Sequence, residues 1–225
     1  MSLPHGISPN VENWLVTNIP GAIAPFSYTQ IAGGHSNLTF KVDDAAGHSY
    51  VLRRPPLGHR LASAHDMSRE HRIIAGLAKS NVPVAPALGL CTDEAVNDLP
   101  FYVMAFVDGH VIRDKATASS ILQPQGCRRA SESIVDTMAA IHAVDITSVG
   151  LQDLGRHDGY IARQLKRWHG NIVEQRTREL PLVDSVYEEL MTRIPVQGAA
   201  TIVHGDYRLD NCIVFAGPSS VLPCK

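Results

Sequence analysis

The stretch His204-Gly205-Asp206-Tyr207-Arg208-Leu209-Asp210-Asn211 decides how this sequence is read. Apolar runs flank it, Thr201-Ile202-Val203 before and Cys212-Ile213-Val214-Phe215 after. That alternation predicts a tight polar loop between two buried strands. Within the loop, Asp206 and Asn211 stand in an Asp-x4-Asn spacing. A carboxylate can accept the proton of an attacking hydroxyl, and an amide carbonyl is a hard oxygen ligand suited to Mg2+. Asp and Asn at a turn can also serve only local hydrogen bonds, and the spacing alone favours that reading. With His-Gly ahead of it and apolar runs on both sides, the loop reads as catalytic.

Working outward, residues 1–107 are strand-rich. FSYTQIA and LTFKV flank the turn GGHSN, and Tyr50-Val51-Leu52-Arg53 follows as a third strand, closed by Pro55 and Pro56. A helix is predicted over about Asp66 to Lys79, with Ile73, Ile74 and Leu77 on its apolar face and Glu70 on an adjoining side. ALGLCT and LPFYVMAFV read as two more strands, and Val11, Trp14 and Leu15 as a short helix. Beyond Asp108-Gly109 the pattern turns helical: Ile134, Met138, Ile141 and His142, then Ile161, Leu165, Trp168 and Ile172, then residues 184–193.

Two further groups bear on chemistry. Gly33-Gly34-His35-Ser36-Asn37 could let a backbone approach phosphate oxygens, although a plain hairpin turn is favoured for it in isolation. Arg53 and Arg54 close the third strand. Alternation lets only Arg53 share the side of Val51. Paired with Glu70, it could grip nucleotide phosphates, or it could equally be a solvated strand end.

Taken in order, GGHSN, YVLRR, SREHR, FYVMAFVDG and HGDYRLDN resemble the aminoglycoside phosphotransferase family of the protein-kinase-like superfamily, in the branch also found joined to acyl-CoA dehydrogenases. The resemblance spans about residues 28–215, and HGDYRLDN is its most specific motif. It implies an α+β, two-lobed fold: an antiparallel-sheet lobe over 1–104, a hinge over 105–110 and a helical lobe with the catalytic loop over 111–225. It implies Asp206 as the base that orients and deprotonates a substrate hydroxyl, and Asn211 as a ligand to Mg2+. Gly34, Ser36 and Asn37 would cover the phosphates of ATP or another nucleoside triphosphate. Arg53 would stand where the family has a lysine, with Glu70 as its partner. Met104, Ala105 and Val107 would form the adenine-facing hinge, and His204 would shape the loop. The acceptor would be a small hydroxylated molecule.

The family also places a second acidic metal ligand on the strand after this loop. No Asp or Glu follows Asp210, and Pro223 disfavours a strand there. The expectation is therefore a truncated chain with an incomplete helical lobe. Its activity is open, the alternative being an inactive nucleotide- or partner-binding fragment.

Composition narrows the other classes. The chain has 225 residues, 20 Lys plus Arg against 22 Asp plus Glu, and 44% hydrophobic content. That suits one or two globular domains and gives no broad attraction for nucleic acid. MSLPHGISPN lacks the features of a signal peptide, and no apolar run reaches the length of a membrane span. Four cysteines without a CxxC pair read as reduced thiols, so a cytoplasmic protein is expected. The 11 histidines form no HExxH pattern, which disfavours a metal hydrolase.

Overall fold

The computed structural model describes residues 3–4, 6–32, 37–56, 66–215 and 221–223. Gly34 and Ser36, expected over the phosphates, lie outside these. The chain divides into two compact units, one of residues 1–151 and 202–225 and one of residues 152–201.

The first unit opens with helix α1 (Asn10–Asn18). Strands β1 (Ser27–Ala32), β2 (Leu38–Asp43), β3 (Ser49–Arg54), β4 (Ala87–Cys91) and β5 (Phe101–Ala105) form one antiparallel sheet in the order β1-β2-β3-β5-β4, and α2 (Met67–Leu77) lies between β3 and β4 in sequence. Register sorts the side chains. Phe40 pairs with Leu52, and Leu52 with Val103. These three are buried with Val11 and Leu15 of α1 in one core, where Trp14 meets Phe101 edge-on at 4.9 Å. Each such aliphatic or aromatic burial contributes about 1.5–3 kcal/mol. Val51 faces Met104 and Arg53 faces Tyr102 across the β3–β5 ladder, which puts them on the opposite side of the sheet.

Alternation thus separates Arg53 from Arg54 as expected, but Arg54 is not a solvated strand end. Its side chain is fully buried, 3.2 Å from Asp98 through Nη2, and its Nε donates to the Pro55 carbonyl at 3.3 Å.

The β2–β3 turn is organised by Asp44. Its carboxylate accepts from the backbone N–H groups of Ile23, Ala46 and His48, and lies 3.1 Å from the His48 ring. Burial pulls its pKa upward, but the hydrogen bonds from His48, Ile23 and Ala46 outweigh burial and hold it down to about 2. A carboxylate whose folded pKa is depressed stabilises the fold fully above its unfolded pKa, roughly 4. That stabilisation disappears as pH falls towards 2. Thermal melts between pH 5 and pH 2 should therefore show a falling stability limb that Asp44→Asn flattens; parallel limbs in the two proteins would remove Asp44 as its source.

After β5 come α3 (Lys115–Ile121) and α4 (Pro124–His142). The helical spacing of Ile134 to His142 announces α4. The short α3 was not foreseen, having no buried residues of its own and being started by Asp114, which accepts from Thr117 N. Thr201-Ile202-Val203, expected as a strand, joins no ladder among the described residues, and Val203 is exposed. Only Ile202 packs inward, beside Leu77 and Ile141.

Cys212–Val214 is the expected strand, β6, and it pairs with β7 (Val221–Pro223). Pro223 does not prevent that strand; it sits at its last position, opposite Cys212, where a missing N–H costs least.

The second unit holds α5 (Tyr160–Gln175) and α6 (Pro181–Thr192). His169 and Arg176 of the α5 region reach Asp184 of α6 at 2.8 and 3.0 Å, and the His169 ring stacks on Tyr187 at 4.0 Å. Among the described residues no helix is long and apolar enough to cross a membrane.

Candidate active site

Gly205 starts the loop at φ +82°, a left-handed turn that glycine adopts without penalty. The turn folds Asp206 back towards Asn211. The buried Asn211 donates Nδ2 to both the Asp206 carbonyl (2.9 Å) and Asp206 Oδ2 (2.6 Å). With its nitrogen committed, the carbonyl oxygen is the atom Asn211 has left for a ligand. Arg208 Nε lies 3.2 Å from Asp206 Oδ1 and 2.9 Å from Asp210 Oδ1. Asp206 N–H faces His204 Nδ1 at 3.4 Å, and the His204 ring meets Tyr207 edge-on. Asp206 itself is exposed, its carboxylate fixed in place yet open to an incoming hydroxyl.

The loop is anchored from both ends. Tyr207 packs into the apolar clusters around Ile112 and Leu77, and Cys212 is completely buried. Burial pushes the Tyr207 phenol up to about 12 and the Cys212 thiol up to about 11, so neither is a nucleophile near neutrality. Val214 exchanges two 2.8 Å backbone hydrogen bonds with His110, which ties β6 to the segment that follows β5.

Gly109 permits that approach. A Cβ there would lie 2.3 Å from Ile213 Cγ2 and 3.2 Å from the Val214 carbonyl. Gly109→Ala should cost about 1–3 kcal/mol through overpacking, read as a lowered Tm by circular dichroism. Adding Ile213→Ala should recover part of the loss. An alanine carried without loss would contradict the close approach.

The second cluster is centred on Glu70 of α2. Its Oε2 is 3.0 Å from Arg53 Nε and accepts from the Tyr102 hydroxyl at 3.2 Å, while Oε1 accepts from Asn37 Nδ2 at 2.7 Å. Helix α2 starts at Asp66, whose side chain accepts from Arg69 N, and this sets the turn that aims Glu70 at the sheet. Burial pushes the Tyr102 phenol upward; Arg53 opposes the shift and Glu70 adds to it.

The expected Arg53–Glu70 pair is therefore present. Asn37, expected over phosphates, has its amide nitrogen on Glu70. Tyr102 was missed: it stands directly across the ladder from Arg53, a pairing that no local sequence signal marks. In the segment expected to form the hinge, Ala105 N–H goes to the Pro86 carbonyl and Phe106 N–H to the Ser49 carbonyl, so the ladder ends before Val107.

The model of the phosphotransferase enzyme family matches residues 27–222. The chain belongs to that family. Mouse acyl-CoA dehydrogenase family member 10 is 33% identical over 198 residues, covering 88% of this chain and 18% of the mouse protein. The chain thus spans less than a third of the curated relatives it matches. A crystal structure from Ralstonia eutropha, described as an aminoglycoside phosphotransferase, superposes with a TM-score of 0.80 at 34% identity, covering 96% of this chain and 62% of that one. Spectinomycin phosphotransferase in complex with ADP and spectinomycin shares the fold, with a TM-score of 0.56 at 14% identity over 96% of this chain and 67% of that one. The chain has the α+β kinase-like phosphotransferase fold.

Proposed function

We propose that this chain carries the nucleotide-binding and catalytic part of an ATP-dependent phosphotransferase acting on the hydroxyl of a small molecule. The Asp206–Asn211 coupling carries this reading. It leaves one carboxylate exposed for a hydroxyl proton and one amide oxygen for a cation, five residues apart on a pinned loop. In the reaction, the acceptor oxygen bonds to the γ-phosphorus as the bond to the β,γ-bridging oxygen breaks. ADP leaves, and the hydroxyl proton passes to Asp206.

Asn211 Oδ1 would hold Mg2+, which suits a neutral hard oxygen and would supply positive charge against the phosphates. Arg53, braced by Glu70, would grip the nucleotide phosphates, and Met104, Ala105 and Val107 would face the base. Membership of the family supports the reaction class, and the fold-sharing spectinomycin enzyme with ADP supports the nucleotide.

Calorimetry with AMP-PNP, with and without Mg2+, is the first test, and 31P NMR of ATP with a panel of hydroxylated compounds is the second. Mg2+-dependent binding and transfer are expected. Absence of nucleotide binding would sink the proposal. Binding without transfer or hydrolysis would favour the non-catalytic alternative.

A further inference from the structure

Helix α2 is held on two flanks. On one, Glu70 meets Arg53 and Tyr102 of the sheet and Asn37 just before β2. A helix turns by about 100° per residue, so Arg72 lies about 200° and Gly76 about 240° round the axis from Glu70. Both therefore face nearly the other way, and a turn over residues 145–151 meets them there. Arg72 donates Nη2 to the Gly150 carbonyl at 2.8 Å, across 78 positions of sequence. The buried Leu151 occupies the space a side chain on Gly76 would need: a Cβ there would stand 2.9 Å from Leu151 Cγ and 3.0 Å from each of its methyl groups. Gly76 is not the left-handed glycine that ends many helices; its φ is not positive, and Ala78 closes α2. The glycine serves close approach. The turn is braced from within, since the Asp145 side chain accepts from Thr147 N at 2.9 Å, its carbonyl accepts from the Ser148 hydroxyl at 2.8 Å, and Leu151 N–H reaches the Ile146 carbonyl at 2.8 Å.

We propose that Arg72 and Leu151 are positioning residues: the 145–151 turn is a stop against which α2 is seated, and that seat sets how Glu70 meets Arg53. The consequence for nucleotide binding rests on the phosphotransferase reading; the seat itself does not. A helix moves as a unit, because its backbone hydrogen bonds tie each turn to the next. Loss of the stop on one flank is therefore felt by Glu70 on the other. Hydrogen bonds weaken steeply with misalignment, and a displacement of about 1 Å far from the chemistry can cost on the order of 10²-fold. The same helix packs Ile73 and Leu77 in one cluster with Ile141 and with Tyr207, the neighbour of Asp206. Its seat thus bears on both halves of the site, while Arg72 and Leu151 act through Glu70 and do not meet the nucleotide.

The test uses Arg72→Ala, an exposed change, and Gly76→Ala, which pushes the helix off Leu151. Arg72→Lys, which keeps a donor for the Gly150 carbonyl, is the conservative control. Calorimetry with AMP-PNP and Mg2+ is run in the wild-type and Glu70→Ala backgrounds, with Tm measured alongside. Arg72→Ala and Gly76→Ala should each weaken affinity about three- to tenfold in the first background. In the second they should weaken it no further, because the carboxylate they aim is gone. Arg72→Lys should recover most of the loss. The Arg53–Glu70 pair is also read without nucleotide, from the Nε–H signal of Arg53 in 1H–15N spectra, assigned by its absence in Arg53→Lys. Both variants should move that signal towards its position in Glu70→Ala. Three outcomes overturn the proposal: an Arg53 signal that stays put in both variants, AMP-PNP affinity unchanged while Tm falls, or the same fold loss of affinity in Glu70→Ala as in wild type. Failure of the wild-type chain to bind AMP-PNP defeats the phosphotransferase reading alone, and the Arg53 signal then decides the seat by itself.

Discussion

Asp206→Ala should lower phosphoryl transfer by roughly 10²–10⁴-fold, the usual contribution of a positioned general base, while AMP-PNP affinity changes little. The reasoning starts from geometry. Asp206 is held by Asn211 on one oxygen and by Arg208 on the other, and it remains exposed. A carboxylate held in this way loses little orientational freedom when the acceptor arrives, which is what makes it effective. Nothing in its contacts reaches the Arg53–Glu70 cluster, so nucleotide affinity should survive its loss.

Asp206→Asn sharpens the test. It preserves an oxygen for Asn211 to donate to but cannot take up a proton, so it should be nearly as slow as the alanine variant. If Asp206→Asn matches wild type, Asp206 only shapes the loop. If Asp206→Ala also matches wild type in ATP turnover with an acceptor, the base assignment is wrong. Asn211→Ala should differ in kind: it frees Asp206 and removes the proposed cation ligand, so both turnover and the Mg2+ dependence of nucleotide binding should fall.

What the sequence could reveal followed from periodicity and spacing. Strand alternation put Arg53 beside Val51 and away from Leu52, and helical spacing announced α2 and α4. The flanking apolar runs implied a tight loop holding Asp206 and Asn211, but not the 2.6 Å hydrogen bond between them, which only the structure reveals. Pairings between distant segments were less legible. Tyr102 faces Arg53 only because β5 inserts between β3 and β4, an order that no local pattern encodes. The burial of Arg54 was not legible because its partner, Asp98, is 44 positions away. Thr201-Ile202-Val203 has the composition of a strand, yet a strand needs a neighbour, and its own sequence cannot say whether one is supplied. The resemblance implied a place over the phosphates for Asn37, and no local pattern showed that its amide nitrogen goes to a helix 33 positions on.

Glu70→Ala should be the most costly change in the cluster of Glu70, Arg53, Tyr102 and Asn37, at about 2–3 kcal/mol. One ion-pair partner and two hydrogen-bond donors converge on this carboxylate, and its removal takes a contact from each: the largely buried Arg53 guanidinium, the Tyr102 hydroxyl and the Asn37 amide. Breaking a fully buried ion pair costs roughly 3–5 kcal/mol because the surviving charge is left without a partner. The Glu70 side chain is 30% exposed, so water can reach part of the site and the value drops below that range. For a protein of this size each kcal/mol lowers Tm by about 2–4 °C, which puts the loss near 5–10 °C.

Glu70→Gln restores a single acceptor oxygen and no charge, so it should fall between alanine and wild type. Nucleotide affinity should weaken about tenfold in Glu70→Ala, equivalent to 1.4 kcal/mol, because Arg53 loses the contact that aims it. A double-mutant cycle with Arg53→Ala isolates the pair. A coupling energy near zero would mean that Glu70 braces the sheet through Tyr102 and Asn37 alone, and that Arg53 finds its place without it.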